Sequence, residues 1–189
     1  MASLSAAVKS QTGTLGDSDC EALRSGLLAQ PVNAVSSLGY VAAGAWFSTR
    51  ITSLPRSQRP AAGAYGAALV LSGLGSVAYH GPQFSGAQWL HDLPIVALVA
   101  LGAGVPLVRA VRSCSAVPGA DRSKLSALGA IVALSLGSYV LGRTGGPLCR
   151  PDSPLQLHGL WHIGTASAAT LWATMLWPRT TSQREPGDA

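Results

Sequence analysis

Residues 61–80 read AAGAYGAALVLSGLGSVAYH, a stretch of 20 residues that contains no Asp, Glu, Lys or Arg. An α-helix needs about 20 predominantly apolar residues to cross the roughly 30 Å hydrocarbon core of a bilayer. The apolar side chains do not alternate with a period of two, as they would in a half-buried strand. In a helix the backbone N–H and C=O groups pair with one another, and this is required in a bilayer because lipid offers them no hydrogen-bond partners. The stretch is therefore predicted to be a transmembrane helix.

The composition of the whole chain also indicates a membrane protein. Of its 189 residues, 48% are hydrophobic and only 11% are charged, and the mean hydropathy is +0.31. An average soluble domain is about 25% charged, so soluble globular, disordered and fibrous classes are not expected. The net charge of +5 would by itself suit nucleic acid, but the basic residues lie between apolar blocks rather than in one patch. We expect a lipid bilayer around the chain and no nucleic-acid partner.

Four further blocks are similar to this stretch in length and apolar character. Together the blocks predict an all-α, polytopic transmembrane helix bundle with five spans, at residues 31–49, 61–80, 88–110, 124–142 and 154–177. Small residues are dense in them, as in the runs GAAL, GLGS and GTASAAT. Because lipid provides no hydrophobic drive for helix association, close packing over small residues is expected to hold the bundle together.

The positions of Lys and Arg predict the orientation of the bundle, since cytoplasmic connections carry the excess of basic residues. Nine lie on alternate connections and in the C-terminal tail, namely Arg50, Arg56, Arg59, Arg109, Arg112, Arg122, Lys124, Arg179 and Arg184. The other side has four, namely Lys9, Arg24, Arg143 and Arg150. We therefore expect an integral, multi-pass protein of the plasma or inner membrane. Residues 1–30 form an extracytoplasmic segment, residues 31–177 the transmembrane domain and residues 178–189 a cytoplasmic tail.

The three cysteines fit this orientation. Cys20 and Cys149 both fall on the outer side, where disulfides persist, and Cys114 falls in a cytosolic loop, where thiols stay reduced. A disulfide between Cys20 and Cys149 is our hypothesis. The alternative is two unrelated free thiols.

All four histidines fall at the outer ends of predicted helices, at His80, His91, His158 and His162. The i, i+4 spacing of the last two places both imidazoles on one helix face, where they can chelate one metal ion. His80, on another helix, supplies a third nitrogen. Three protein ligands with an open position for water form the typical arrangement of a catalytic zinc site. The alternative is that these histidines are simply solvated at the membrane interface.

Two further residues could take part in catalysis at such a site. Asp92 is costly in lipid unless it faces a polar interior, and there it could accept a proton from water or orient it. Ser76 lies one helical turn before His80, and its hydroxyl could donate to a developing oxyanion. Neither an HExxH sequence nor a GxSxG sequence around Ser76 is present, so no zincin-type base and no serine elbow are expected.

Four sequence motifs together resemble the alkaline ceramidases, which belong to a wider superfamily of integral-membrane metallohydrolases that includes the adiponectin-receptor-like proteins. The motifs are CEALRSGLLAQPVNAVSSLGYVAAG (20–44), GSVAYHG (75–81), HDLP (91–94) and HGLWH (158–162). They span nearly the whole chain in the family's order. Each motif is weak alone, and the set is specific.

The resemblance implies a zinc-dependent lipid amidase that hydrolyses a long-chain N-acyl amide to a fatty acid and an amine. By motif, it implies that zinc is bound by His80, His158 and His162, and that Asp92 and Ser76 assist the attacking water. His91 matches no ligand position. Asn33 and Ser36 match a family Asn-x2-Ser that looks structural, and the family also pairs Cys20 with a cysteine before the last helix, which supports Cys149 as the partner.

The chain departs from the family pattern in two places. The family has seven helices, whereas residues 93–157 between the two halves of the site suffice for two spans instead of four. The metal site is expected to survive this loss, because removing an even number of helices keeps the orientation of the last one. The family's calcium site would correspond to the acidic cluster of Asp17, Asp19 and Glu21. Gln30 stands where the family has a further acid, so calcium is doubtful and the alternative is a solvated acidic segment.

Other functions stay open at this point. The same metal site could hydrolyse a lipid ester or a lysolipid, because the chemistry does not distinguish an amide from an ester. A haem-binding electron carrier would use His80 and a histidine of the last helix as axial ligands. A non-catalytic receptor or structural membrane protein could retain the metal without turnover.

Overall fold

The computed structural model describes residues 15–113 and 121–178, and within these ranges the fold is all-helical and has no strand. The predicted all-α class is confirmed for this part of the chain. Its helices are α1 (Pro31–Ser36), α2 (Leu38–Ser48), α3 (Arg59–His80), α4 (Ala87–Ser113), α5 (Arg122–Leu141) and α6 (Leu157–Leu176). Two short 3-10 turns, Ile51–Ser53 and Arg56–Gln58, join α2 to α3.

Three described helical segments, and not the five predicted, are long and apolar enough to cross a membrane. They are Arg56–His80, Ala87–Val108 and Arg122–Leu141, which is compatible with a membrane protein. The first predicted span fails because it is divided at Ser37 into helices of 6 and 11 residues. The last, α6, has 20 residues but carries His158, His162 and several Ser and Thr residues among its apolar ones. These polar side chains lower the hydropathy of α6.

The break at Ser37 leaves α1 and α2 connected through a residue with helical backbone angles (φ −61°, ψ −24°). The Ser37 hydroxyl donates to the carbonyl oxygen of Asn33 at 2.7 Å. Such a bond to the preceding turn is typical of serine inside a helix and often bends it. Ser37 therefore continues the backbone while directing a polar side chain into the bundle, where it is fully buried.

Glycines allow the central helices to approach each other closely. A Cβ atom added to Gly44 of α2 would lie 2.8 Å from the carbonyl oxygen of Gly66 in α3, and one added to Gly73 would lie 2.9 Å from that of Ser37. Both distances are too short for any larger residue without a shift of the backbone. The expected packing over small residues is therefore present between α2 and α3.

The helices pack side by side in the order α4, α3, α2, α6, α5, with α1 lying against α3 and α6. The buried core includes Phe47, Tyr65, Leu69 and Trp177. Helices α4 and α5 lie at the two ends of this row. Only 6% of the apolar 18-residue stretch of each helix is buried inside the protein. The described protein therefore leaves most of the apolar residues of these two helices uncovered.

Residues 15–30, which we call the N-terminal strap, cover the end of the bundle at which α3 ends and α6 begins. The strap pairs with the chain after α3, since Gln30 N–H donates to the carbonyl oxygen of His80 at 2.8 Å. It also pairs with the α5–α6 loop, where Ala22 N–H donates to that of Pro151 at 3.0 Å. The predicted Cys20–Cys149 disulfide is confirmed, and it joins the strap to the same loop.

Some sequence predictions lie outside the described residues. Cys114 is one of them, and of the predicted cytoplasmic tail only Pro178 is described. The orientation of the bundle, with its N-terminus outside, stays a prediction.

Candidate metal centre

Three histidines meet beneath the N-terminal strap. His80 is the last residue of α3, and His158 and His162 occupy the first two turns of α6. One ligand nitrogen from each lies within 4.8 Å of the others. The three side chains are buried, with exposures of 0%, 7% and 3% respectively. The predicted convergence of these histidines is confirmed.

The His80 ring is held through its Nδ1 atom. This nitrogen lies 2.7 Å from Oε1 of Gln30. Its other nitrogen, Nε2, is buried and has no hydrogen-bond partner among the described residues. A buried polar atom without a partner costs roughly 1–3 kcal/mol. A metal ion at Nε2 would remove that cost.

The His162 ring is likewise held through Nδ1. Ser36 Oγ lies 3.0 Å and Ser37 Oγ 3.2 Å from this atom. Both hydroxyls also lie within donating distance of the carbonyl oxygen of Asn33, at 3.0 and 2.7 Å. Because a carbonyl can only accept, serines that donate to it are left to accept from Nδ1–H of His162. Nε2 of His162 then carries the lone pair that a metal needs.

The His158 ring lies beside the carboxylate of Asp19. Nδ1 of His158 lies 3.6 Å from Oδ1 of Asp19, and both side chains are buried. The same oxygen accepts from the Ser18 hydroxyl at 3.0 Å. Histidine ligands commonly direct their second nitrogen to a carboxylate, a carbonyl or a similar acceptor. Nδ1 of His80 and of His162 thus lies within hydrogen-bond distance of such a group, whereas Nδ1 of His158 faces Asp19 beyond that distance and has no hydrogen-bond partner among the described residues.

The donor set fits a zinc ion. Three neutral imidazoles with one open position match the ligand number of catalytic zinc sites. Imidazole also suits copper, iron and nickel, so the buried group supports a metal ion without fixing its identity. Among the described residues, this is the one group of three or more His, Cys, Asp or Glu side chains that could hold a metal.

Ser76 lies at the centre, as predicted. Its Oγ atom is 3.5 Å from Nε2 of His162 and 2.8 Å from Oγ of Ser37. The side chain is 2% exposed. Ser76 is therefore positioned on the same side of the His162 ring as the proposed metal.

Asp92 is placed differently from Ser76. Its Oδ1 atom lies 2.7 Å from Nδ1 of His91, and half of the Asp92 side chain is exposed. The His91 ring stacks on Tyr79 with centroids 4.6 Å apart and lies 6.3 Å from the His80 ring. Asp92 thus contacts His91, and the structure does not bring it into the group of His80, His158 and His162.

The acidic N-terminal cluster makes protein contacts. Both carboxylate oxygens of Glu21 accept backbone N–H groups at the start of α1, from Val32 and Asn33, at 2.8 Å each. A carboxylate at a helix N-terminus is favourable because the N–H groups there have no intrahelical partner. Asp19 faces His158, and the carbonyl of Asp17 accepts from the Thr144 hydroxyl at 2.6 Å. Glu21 therefore has a structural role that needs no calcium.

Sequence reasoning missed two parts of the site. Gln30 was noted only as a departure from an acidic position, whereas its amide contacts a ligand histidine. Tyr139 of α5 lies against Trp161 and His158, with ring centroids 4.9 and 6.0 Å apart. Arg143 lies over the same tyrosine ring. No motif contains Tyr139, so its place beside the cluster follows only from how α5 packs on α6.

No protein-family model, no curated protein and no solved structure matches this chain.

Proposed function

We propose that this protein is an integral-membrane, zinc-dependent lipid hydrolase that cleaves a long-chain N-acyl amide to a fatty acid and an amine. The observation that carries the proposal is the buried group of His80, His158 and His162, each with a polar group beside its Nδ1 atom. The resemblance of the sequence motifs to the alkaline ceramidases supports the choice of an amide as substrate.

Zinc held by the three imidazoles supplies a Lewis acid that polarises a carbonyl and lowers the pKa of water. The protein's own residues perform the remaining tasks. Ser76 donates a hydrogen bond from its hydroxyl to the oxygen that becomes negative when water attacks the amide carbon. Asp92, paired with His91, accepts the proton that the water loses. That proton passes to the leaving nitrogen as the C–N bond breaks, so a neutral amine and a fatty acid result.

An apolar hollow beneath the centre suits a lipid chain. It has a volume of about 370 Å³ and lies between α3, α4 and α6. Its lining consists of Tyr65, Leu98, Val99, Gly102, Ala103, Ala169 and Trp172. Ala169 follows His162 by seven residues, which is about 10 Å along a helix. A long acyl chain that enters from the lipid could occupy this hollow while its carbonyl reaches the histidines.

A larger groove of about 550 Å³, between α2 and α6, is less suitable. Two side-chain contacts join α1 and α2 to α6 beside this groove. Ser36 lies 3.0 Å from Nδ1 of His162, and the Tyr40 hydroxyl lies 2.5 Å from that of Thr165. We therefore assign the acyl chain to the smaller hollow.

The distances between the histidine rings are too short for haem binding. The centroid of the His80 ring lies 5.1 Å from that of His158 and 5.1 Å from that of His162. Rings in such direct contact leave no room for a porphyrin between two axial ligands. An ester or lysolipid hydrolase would use the same centre and is separated from an amidase only by its products.

The proposal is tested with matched lipids. Purified, zinc-loaded protein in lipid–detergent micelles is incubated with an N-acyl amide and an ester of the same chain length, and released fatty acid is measured. We expect release from the amide, and loss of that release in the His162→Ala variant. Ester cleavage alone would replace the amidase by an esterase. No release from either lipid would contradict hydrolase function.

The role of Asp92 is tested separately from metal binding. Asp92→Asn keeps the size of the side chain but removes its basicity. It is expected to lower kcat by about 10²–10⁴-fold, the usual contribution of a general base. Zinc content should stay at the wild-type level, because Asp92 is outside the histidine group. Unchanged kcat would exclude Asp92 as the base, and loss of zinc would assign it to the ligands instead.

A further inference from the structure

We propose that Gln30 is a positioning residue of the metal centre, which fixes the proton of His80 on Nδ1 and so leaves Nε2 free for the metal. This inference rests on the proposed metal centre. It goes beyond that proposal, because it says that a residue of the N-terminal strap sets the tautomer of His80, the ligand at the end of α3.

The orientation of the Gln30 amide is set by two backbone carbonyls. Its Nε2 atom lies 2.8 Å from the carbonyl oxygen of Gly16 and 2.8 Å from that of Glu21. A carbonyl oxygen only accepts, so the NH₂ end must face these two atoms and the Oε1 end must face His80. The amide is fully buried, so bulk water does not compete for its hydrogen bonds.

The amide orientation in turn fixes the state of the imidazole. Oε1 of Gln30 can only accept, and Nδ1 of His80 lies 2.7 Å from it. The proton of a neutral His80 ring must therefore be on Nδ1, and the lone pair must be on Nε2. Of the two His80 nitrogens, Nε2 is the one that is buried without a hydrogen-bond partner among the described residues. Gln30 thus holds His80 in the one neutral tautomer whose free nitrogen is that atom.

The fit around the amide is close. A Cβ atom on Gly16 would collide with the Gln30 side chain. Gly16 also has a φ of +78°, a conformation that favours glycine. The missing Cβ and the positive φ of Gly16 together allow its carbonyl oxygen to accept from the Gln30 amide. The strap thereby connects backbone groups at residues 16 and 21 to a ligand at residue 80.

Glutamine at position 30 makes three hydrogen bonds, and a glutamate there could make only one of them. Glutamate could accept from Nδ1–H of His80, but it has no N–H groups for the carbonyls of Gly16 and Glu21. Methionine, of similar length, could make none of the three bonds. The two replacements therefore separate the bond to the ligand from the bonds to the strap.

The experiment measures the zinc dissociation constant of the full chain in detergent micelles by competition with a chelator, together with the Tm of each metal-free variant. Gln30→Met is expected to weaken zinc binding by about 10–100-fold, as is usual for groups that support a ligand. Gln30→Glu is expected to keep wild-type affinity or better while its Tm falls. This split would not arise if Gln30 merely stabilised the fold.

Gln156 offers a matched control. It is also a buried glutamine, and its Nε2 atom donates to the carbonyl oxygens of Arg150, Pro151 and Ser153 without contacting a ligand histidine. Gln156→Met should lower the Tm and leave zinc affinity unchanged. If it weakens zinc binding as much as Gln30→Met does, the specific role of Gln30 is wrong.

The outcomes separate this inference from the proposed function. A wild-type chain that binds no zinc would overturn both. Zinc binding by wild type that is equally tight in Gln30→Met would overturn the inference and leave the metal centre intact. If Gln30→Met does not fold, Gln30→Glu decides alone. Retained affinity with a lower Tm supports the inference, and lost affinity overturns it.

Discussion

Replacing His162 by alanine is expected to abolish stoichiometric zinc binding and to lower lipid hydrolysis by more than about 100-fold. Changes to groups that only support a metal ligand already cost 10–100-fold, and removing a ligand should exceed that range. His162 is also the ring with the most protein contacts, from Ser36 and Ser37 at Nδ1 and from Ser76 at Nε2. Its loss leaves two histidine ligands, one fewer than the three protein ligands of a catalytic zinc site.

Thermal stability gives a second readout that does not depend on turnover. Added zinc should raise the Tm of the wild type, because a ligand that binds only the folded state stabilises it by mass action. The His162→Ala variant should show no such rise. His91→Ala is the matched control, since His91 is outside the histidine group and its loss should leave zinc binding intact. A His162→Ala protein with wild-type zinc content and hydrolysis would exclude the assigned ligands.

Removing the disulfide is expected to have the second largest effect. Cys20 and Cys149 are 129 residues apart in sequence, and a cross-link across so long a segment restricts the unfolded chain strongly. Loss of a native disulfide typically costs about 2–5 kcal/mol, although how much of this is entropic depends on the treatment. The Cys20→Ser/Cys149→Ser double variant should therefore unfold at a clearly lower temperature.

The same double variant should also bind zinc more weakly. The disulfide anchors the strap, and the strap contacts two ligands, through Gln30 at His80 and Asp19 at His158. Tm and zinc affinity are measured with and without reductant. Cys114→Ser serves as the control, because Cys114 is predicted to be a reduced cytosolic thiol and should change neither quantity. A double variant with unchanged Tm and zinc affinity would show that the strap holds its place without the disulfide.

Much of the centre was predictable from local sequence. The i, i+4 spacing of His158 and His162 fixes their shared helix face once α6 is identified. His80 could be placed beside them because it ends a charge-free run long enough to cross the bilayer. The pairing of Cys20 with Cys149 was a hypothesis from their predicted common side of the membrane, and the family resemblance supported it. In each case a short pattern and a common membrane depth were sufficient.

Other features depend on tertiary contacts that no local pattern encodes. The number of spans was overestimated for two reasons. The length of an apolar block does not show the break at Ser37. The histidines and hydroxyl side chains of α6 lower its hydropathy although the helix is long enough to cross a membrane. The exposure of Asp92, away from the three histidines, depends on the rotation of α4 about its own axis. The bond from Gln30 to His80 joins residues 50 positions apart. Packing decides each of these features.

Metal analysis of the purified wild-type chain tests the central claim most directly. A catalytic site with three histidine ligands holds one ion, so we expect about one zinc per chain, lost in His162→Ala and kept in His91→Ala. A helical, folded wild-type chain with zinc far below one per molecule after zinc loading would contradict the account, and so would a zinc content that His162→Ala leaves unchanged.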